Sequence, residues 1–356
     1  MSRIDQLRHY LLEEGLDAFL VTGSKNVRYL SGFTGSFGAL LITSKDAFII
    51  SDFRYITQVK EQAVGFEFFQ ATKGLIHAIT QLLDQLEVRQ LAIEAHEMTA
   101  EVYLQLKDAI SSQLVESPHV IEKIRQIKDE QEIKLIKQAC AITDEAFDHI
   151  LSYIKVGQTE IELANELERF LKNKGASAMS FDTIVASGVR SSMPHGVASD
   201  KKIEKGDVIT FDFGCYYKDY SSDMTRTIAI DSIDPKLEEI YEIVLAAHNE
   251  VIAHTKPGMT GAQVDALARD YITKKGYGEY FGHSTGHGLG LDVHEEPRVS
   301  SASDEVLEPG MIITNEPGIY IPELGGVRIE DDLLITKDGV ESLNHSPKDL
   351  IILSID

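Results

Sequence analysis

An internal echo constrains this chain most. Lys155, Gly157, Thr159, Lys174 and Gly175 recur 101 residues later as Lys256, Gly258, Thr260, Lys275 and Gly276. In each copy the threonine can cap a helix, with Glu162 or Gln263 three residues on to complete a capping box, and the glycine can close it. Convergence on good helix ends would give the same identities, so the pattern alone leaves duplication open. A true duplication predicts two similar αβ halves folded around a shared centre, where a site could draw residues from both.

Ahead of this echo, segments alternate between helical and extended patterns. Ile4, Leu7, Leu11 and Leu12 fit one helical face, and apolar runs follow at Ala18 to Val21, Gly38 to Ile42 and Ala47 to Ile50. This reads as an α/β domain. The stretch YLSGFTGSFG marks a loop, a helix is predicted near Thr99 to Ile110, and SDFRY (Ser51 to Tyr55) reads as a solvated strand end. A long helix then carries Ile133, Ile136, Cys140, Thr143, Phe147 and Ile150 at spacings of three or four, which makes Cys140 a core residue. The domain boundary is placed near residue 123, giving domains 1–122 and 123–356.

The second domain holds the acids and histidines. In VITFDFGCYYKDYSSDMTRTIAI, two strands joined by a tight turn put Ile209, Phe211, Phe213 and Cys215 on an apolar face and Asp212 on the opposite one. A turn about Tyr217 and Lys218 would set Asp212 across from Asp223, with their Cβ atoms about 5 Å apart. Two carboxylates at that distance repel by roughly 3 kcal/mol at an effective dielectric of about 20. Such a pair needs a cation, a shared proton or full solvation. Downstream, Glu316 precedes the Pro317-Gly318 breaker and Glu330 lies on the return strand of a second strand-turn-strand segment. Between the two segments, His283, His287 and His294 fall within 12 residues of a glycine-rich stretch, predicted to be a bent loop that aims imidazoles, and His195 lies upstream in SSMPHG. Carboxylates with an imidazole suit hard divalent cations, and a pair of cations about 3.5–4 Å apart can share and acidify a bridging water. Solvated hairpins and surface histidines remain the plain alternative. Nucleophilic serine chemistry lacks a G-x-S-x-G elbow, and both cysteines read as core.

The set FDFG with Asp212, SSDMTRT with Asp223, STGHGLG with His287, NEPGIY with Glu316 and GVRIEDD with Glu330 resembles the five-ligand pattern of the pita-bread metallopeptidases. MPHGVAS, GLDVHEEPR and IYIPELGGVRIEDD are similar to the aminopeptidase P and prolidase branch, and the resemblance covers essentially the whole chain. It implies an α+β protein: a C-terminal pita-bread catalytic domain preceded by a smaller creatinase-like α/β domain. The resemblance further implies two divalent metal ions, Mn²⁺ first, with Co²⁺ or Zn²⁺ as alternatives. Asp223 and Glu330 would bridge them, Asp212 would complete one shell, and His287 and Glu316 the other, with Glu316 also accepting the proton of the attacking water. His195 and His294 match histidines that bind the substrate carbonyl, and His283 one that shapes the proline pocket. Tyr320 and Arg328 match residues that orient ligands and leaving group. Arg298 stands where prolidases hold a dipeptide's carboxylate and many aminopeptidases P have no arginine.

The activity implied first is an Xaa-Pro aminopeptidase, closest to short bacterial aminopeptidases P. The alternative is an Xaa-Pro dipeptidase, or prolidase. A methionine aminopeptidase is disfavoured because that branch usually lacks such an N-terminal domain, and a non-catalytic interaction protein conflicts with the full ligand set. Proline-containing peptides are the implied substrates, and a homo-oligomer, dimer or tetramer, is implied by the relatives. The balance of 34 Lys plus Arg against 57 Asp plus Glu, a net charge of −23, argues against nucleic acid and anionic membranes as partners. With no apolar span of roughly 20 residues and no signal-like N-terminus, a cytoplasmic protein is predicted.

Overall fold

A computed structural model describes residues 1–355. Its contacts divide the chain into units Met1–Arg125 and Gln126–Asp356. In the first unit, Ser2 and Asp5 form a capping box that starts α1 (Arg3–Glu14), and Gly15 ends it at φ 65°. Six strands follow: β1 (Ala18–Val21), β2 (Ala39–Thr43), β3 (Ala47–Ser51), β4 (Glu67–Gln70), β5 (Gln90–Ile93) and β6 (Gln113–Glu116). They make one mixed sheet in the order β4-β3-β2-β1-β5-β6. β1 and β2 are buried at every position, which is why they read as continuous apolar runs rather than as alternation. Helices α2 (Ser24–Ser31), α3 (Ile56–Gln62), α4 (Leu75–Gln85), α5 (Ala100–Ala109) and α6 (Val120–Gln126) complete this part of the chain. SDFRY ends β3 and enters a short 3-10 turn whose Phe53 is exposed and whose Arg54 pairs with Asp52.

In the second unit, α7 (Glu130–Tyr153) buries Ile136, Cys140, Thr143, Phe147 and Ile150, the face its spacing predicts. The echo is structural. α8 (Glu160–Asn173) and α10 (Gly261–Lys274) keep the 101-residue offset, and each starts on a formed capping box, Thr159 with Glu162 and Thr260 with Gln263. Gly157 and Gly258 share a positive φ, 88° and 91°, as do Gly175 and Gly276, 101° and 90°. Each half packs its own core: Phe147, Leu163, Leu167 and Phe211 in one, and Val244, Val264, Ala268 and Leu333 in the other, the latter with α9 (Pro235–His254).

The strands repeat as well. In chain order they are β7 (Ala178–Met179), β8 (Ile184–Ser187), β9 (Val208–Phe213), β10 (Cys215–Tyr217), β11 (Tyr220–Ser221) and β12 (Met224–Ile230), then β13 (Gly286–Gly288), β14 (Glu295–Val299), β15 (Ile312–Asn315), β16 (Gly318–Ile321), β17 (Gly325–Arg328), β18 (Asp331–Ile335), β19 (Val340–Ser342) and β20 (Ile352–Leu353). One sheet runs β20-β12-β9-β8 and the other β14-β13-β15-β18-β19. The antiparallel run β8-β9-β12 thus has its counterpart in β13-β15-β18. Among the described residues, no helix is long and apolar enough to cross a membrane.

Two local expectations are corrected. The turn lies at Lys218-Asp219, both at positive φ (48° and 70°), so Tyr217 pairs with Tyr220 and Asp212 pairs with Thr225 rather than with Asp223. Two positive-φ residues make the primed turn that suits a tight hairpin. The glycine-rich segment is not only a bent loop, because Gly286–Gly288 is strand β13. A Cβ on Gly286 would lie 2.0 Å from the Thr314 carbonyl oxygen, and one on Gly288 2.4 Å from that of Glu296. Glycine is required there by close backbone approach.

Glu166 on α8 clamps α7. Arg169 and His149 pair with its carboxyl and hold it at about 2, below the ordinary 4.5. The clamp therefore contributes fully above about pH 4.5 and fades as pH falls toward about 2. Urea midpoints of wild type and Glu166→Gln should differ most at neutral pH and converge in acid; a gap independent of pH would contradict this.

Candidate metal centre

The two hairpins converge on one place. Asp212 sits on β9, Asp223 just before β12, His287 on β13, Glu316 just after β15 and Glu330 just before β18. β15 and β18 pair Asn315 with Asp331, and β16 and β17 pair Gly318 with Arg328. Continuing either register sets Glu316 opposite Glu330. Ligand atoms of Asp223, His287 and Glu330 all lie within 4.8 Å of one another. The His287 Nε2 is 3.8 Å from Asp223 Oδ2 and 3.5 Å from Glu316 Oε1. Asp212 joins through Arg328, whose Nη2 donates to Asp212 Oδ2 at 2.6 Å while its Nε donates to Thr225 Oγ1 at 3.0 Å. Thr225 in turn donates to Glu330 Oε2 at 2.6 Å.

Electrostatics show what this cluster lacks. Burial, and then the neighbouring acids, push Asp223 well above the ordinary carboxylate range; burial likewise lifts Glu330 well above it, Asp212 above it, and Glu316 to about 8. Protein groups leave the cluster unsatisfied: Asp212 Oδ1 and Asp223 Oδ1 are buried and accept no hydrogen bond. Divalent cations supply the missing partners for such oxygens. His287 fits the same role. Its Nδ1 faces the Gly288 carbonyl at 3.0 Å and so carries the proton, which leaves the Nε2 lone pair directed at the carboxylates. Burial and the nearby His294 lower its pKa to about 4, keeping the imidazole neutral.

Of the remaining predicted site residues, His294 lies against His287, with ring centroids 4.4 Å apart and the planes tilted by 57°, and burial lowers its pKa. His283, Tyr320 and Arg328 form a chain. Arg328 Nη1 donates to the Tyr320 hydroxyl at 2.8 Å, the hydroxyl donates to His283 Nε2 at 2.9 Å, and His283 Nδ1 donates to the Ser284 carbonyl at 2.8 Å. His195 lies on an exposed loop in the neighbourhood of Asp212, His283 and His294. Arg298 is not gathered with them. Its side chain is 75% exposed and pairs with Glu296 at 3.5 Å.

Supporting residues escaped the sequence reading. Glu160, fully buried, accepts from the Ser187 amide (2.7 Å), Ser187 Oγ (2.8 Å), Arg190 Nε (3.0 Å), the Ser199 amide (3.0 Å) and Ser199 Oγ (2.6 Å). It thereby pins both ends of the segment that carries His195. In the other half, Asp265 accepts from the Thr285 amide (3.1 Å) and Thr285 Oγ1 (2.8 Å), between His283 and His287. Asp332 accepts from the Asp223 amide at 3.0 Å and from Cys140 Sγ at 3.2 Å. Thr225 was visible in SSDMTRT, one position from Arg226, but a hydroxyl carries no motif signal.

Thr225→Val keeps the shape and removes both of its hydrogen bonds. Metal affinity should weaken by roughly 10–100-fold with an unchanged circular dichroism spectrum. Unaltered affinity in a calorimetric titration would show that Thr225 does not orient Glu330.

Comparison with known proteins places the chain in a family. Residues 134–337 match Metallopeptidase family M24, and residues 3–127 match the Creatinase/Prolidase N-terminal domain. The chain is similar to the Xaa-Pro dipeptidase from Bacillus anthracis, with a TM-score of 0.97 and 51% identity over 99% of each chain. It is similar to the X-Pro aminopeptidase from Thermotoga maritima MSB8, with a TM-score of 0.91 and 38% identity over 95% of this chain and 98% of that one. The Xaa-Pro dipeptidase of Pyrococcus horikoshii is 41% identical over 352 residues, 98% of this chain and 99% of that protein. With matches over nearly its whole length, this α+β chain, a creatinase-type N-terminal domain followed by a pita-bread catalytic domain, belongs to metallopeptidase family M24.

Proposed function

We propose that the chain is an Xaa-Pro dipeptidase whose Asp212, Asp223, His287, Glu316 and Glu330 hold two divalent cations, Mn²⁺ first. The observation that carries metal-dependent hydrolysis is the pair of buried carboxylate oxygens, Asp212 Oδ1 and Asp223 Oδ1, that accept no hydrogen bond among the described residues. The dipeptide preference rests on relatives. Those named Xaa-Pro dipeptidase stand at 51% and 41% identity, against 38% for the X-Pro aminopeptidase. This reverses the order expected from sequence, which put the aminopeptidase first.

Bound cations would supply Lewis acidity that polarises the scissile carbonyl and lowers the pKa of water. The protein's own groups do the positioning and the proton transfer. Glu316 takes a proton from the attacking water and returns it to the proline nitrogen as the C–N bond breaks. His195 and His294 donate to the carbonyl oxygen, where negative charge develops. Arg328 fixes Asp212 and, through Tyr320, holds His283 in the tautomer that accepts at Nε2. His283 and Tyr320 border the proline ring. The target is a tertiary amide without an N–H, which strand-docking proteases cannot hold by the usual backbone bond. Exposed Arg298 would meet the carboxylate of a dipeptide. A homo-oligomer acting in the cytoplasm fits the exposed Leu12, Phe53 and Val64 and the free, buried Cys140 and Cys215.

Mn²⁺-loaded protein should cleave Xaa-Pro in preference to Xaa-Pro-Yaa, and a chelator should abolish turnover. Glu316→Ala should lower kcat by roughly 10²–10⁴-fold in a folded protein. Arg298→Ala should raise the dipeptide KM about fivefold at similar kcat, the worth of an exposed ion pair of about 1 kcal/mol. Faster cleavage of the tripeptide than of the dipeptide would restore the aminopeptidase reading.

A further inference from the structure

We propose that His96, His119 and Glu122 form a separate mononuclear site in the N-terminal unit for a zinc-class divalent cation. Their candidate ligand atoms all lie within 4.8 Å of one another. They come from two places in the chain: His96 from the 3-10 turn Ala95–Glu97 after β5, and His119 and Glu122 from the entry to α6. The His96 and His119 rings lie 4.2 Å apart at an interplanar angle of 37°. His119 adopts a left-handed backbone, φ 59°, which costs a non-glycine residue free energy, so the chain is bent at the position that brings this ring beside His96.

Glu122 is oriented for a ligand. Its Oε1 accepts from Asn26 Nδ2 at 2.6 Å, and Asn26 is itself fixed by Glu94 at 2.6 Å and Arg125 at 2.9 Å. Its Oε2 is buried and accepts no hydrogen bond. A carboxylate oxygen in that state is costly unless a cation covers it. His96 Nε2 is 3.1 Å from Glu122 Oε1 and 4.0 Å from Glu97 Oε1, so the local charge is negative and attracts one. Two imidazole nitrogens with one carboxylate suit Zn²⁺, whereas Mg²⁺ and Ca²⁺ take oxygen ligands. Both rings reach the surface, which leaves a coordination position for water. The bound ion would staple the turn after β5 to the start of α6. Without it, the same groups would form only the His96–Glu122 hydrogen bond.

The test counts zinc rather than turnover, so it stands apart from the dipeptidase reading. Full-length wild type, His96→Ala/His119→Ala and Glu122→Gln are stripped, dialysed against the same buffered free Zn²⁺, and analysed for bound zinc by mass spectrometry, with circular dichroism to establish the fold. The pita-bread centre is unaltered in all three. Each folded variant should bind one equivalent less per chain than wild type while its Mn²⁺-dependent activity is unchanged. Wild-type zinc content in either folded variant would overturn the site and leave the His96–Glu122 hydrogen bond.

Discussion

The structure of the catalytic domain is governed by the repulsion among Asp212, Asp223, Glu316 and Glu330, four carboxylates drawn into one partly closed space. No single strand could place them so. Two hairpins do, one from each half, and each brings its acids to the ends of the ladders where the strands diverge. Arg328 is the one guanidinium seen to pair with them among the described residues, and it reaches only Asp212. One positive charge cannot offset four acids, and burial raises the pKa of each. On the proposed reading cations are the counterpart, with His287 offering an unprotonated nitrogen and Thr225 holding Glu330 in place.

Support for the site follows the duplication. Glu160 sits in the first turn of α8 and Asp265 in the corresponding helix α10, and each gathers the backbone of a histidine-bearing segment. They do not occupy equivalent positions in the repeat, so the two halves solved the same mechanical problem separately. Close strand packing at Gly286 and Gly288 then brings His287 against the acids without a side chain in the way.

Much of this was legible in the sequence. Capping residues such as Thr159 and Thr260 act locally, so their helices could be placed without knowing the tertiary fold. The apolar stripe of Ile209, Phe211, Phe213 and Cys215 has the two-residue period of a strand, and all four are fully buried. Register was harder. It depended on both Lys218 and Asp219 taking positive φ, a conformation uncommon for lysine, so the turn position did not stand out in the sequence. The glycines of β13 were misread for a related reason, since a close approach to Thr314 and Glu296 is invisible until distant segments are brought together. Glu160 and Asp332 carried no motif because buried carboxylates that serve backbone amides look like surface acids in a sequence. The separation of Arg298 from the other site residues likewise belongs to tertiary structure alone.

The central claim is that the four acids and His287 are completed by a pair of cations. Anomalous diffraction at the manganese edge from Mn²⁺-soaked crystals tests it most directly. Two peaks about 3.5–4 Å apart, between Asp223 and Glu330 and flanked by Asp212, His287 and Glu316, are the predicted result. An empty cluster at saturating Mn²⁺, with its carboxyls paired to one another by protons, would contradict it.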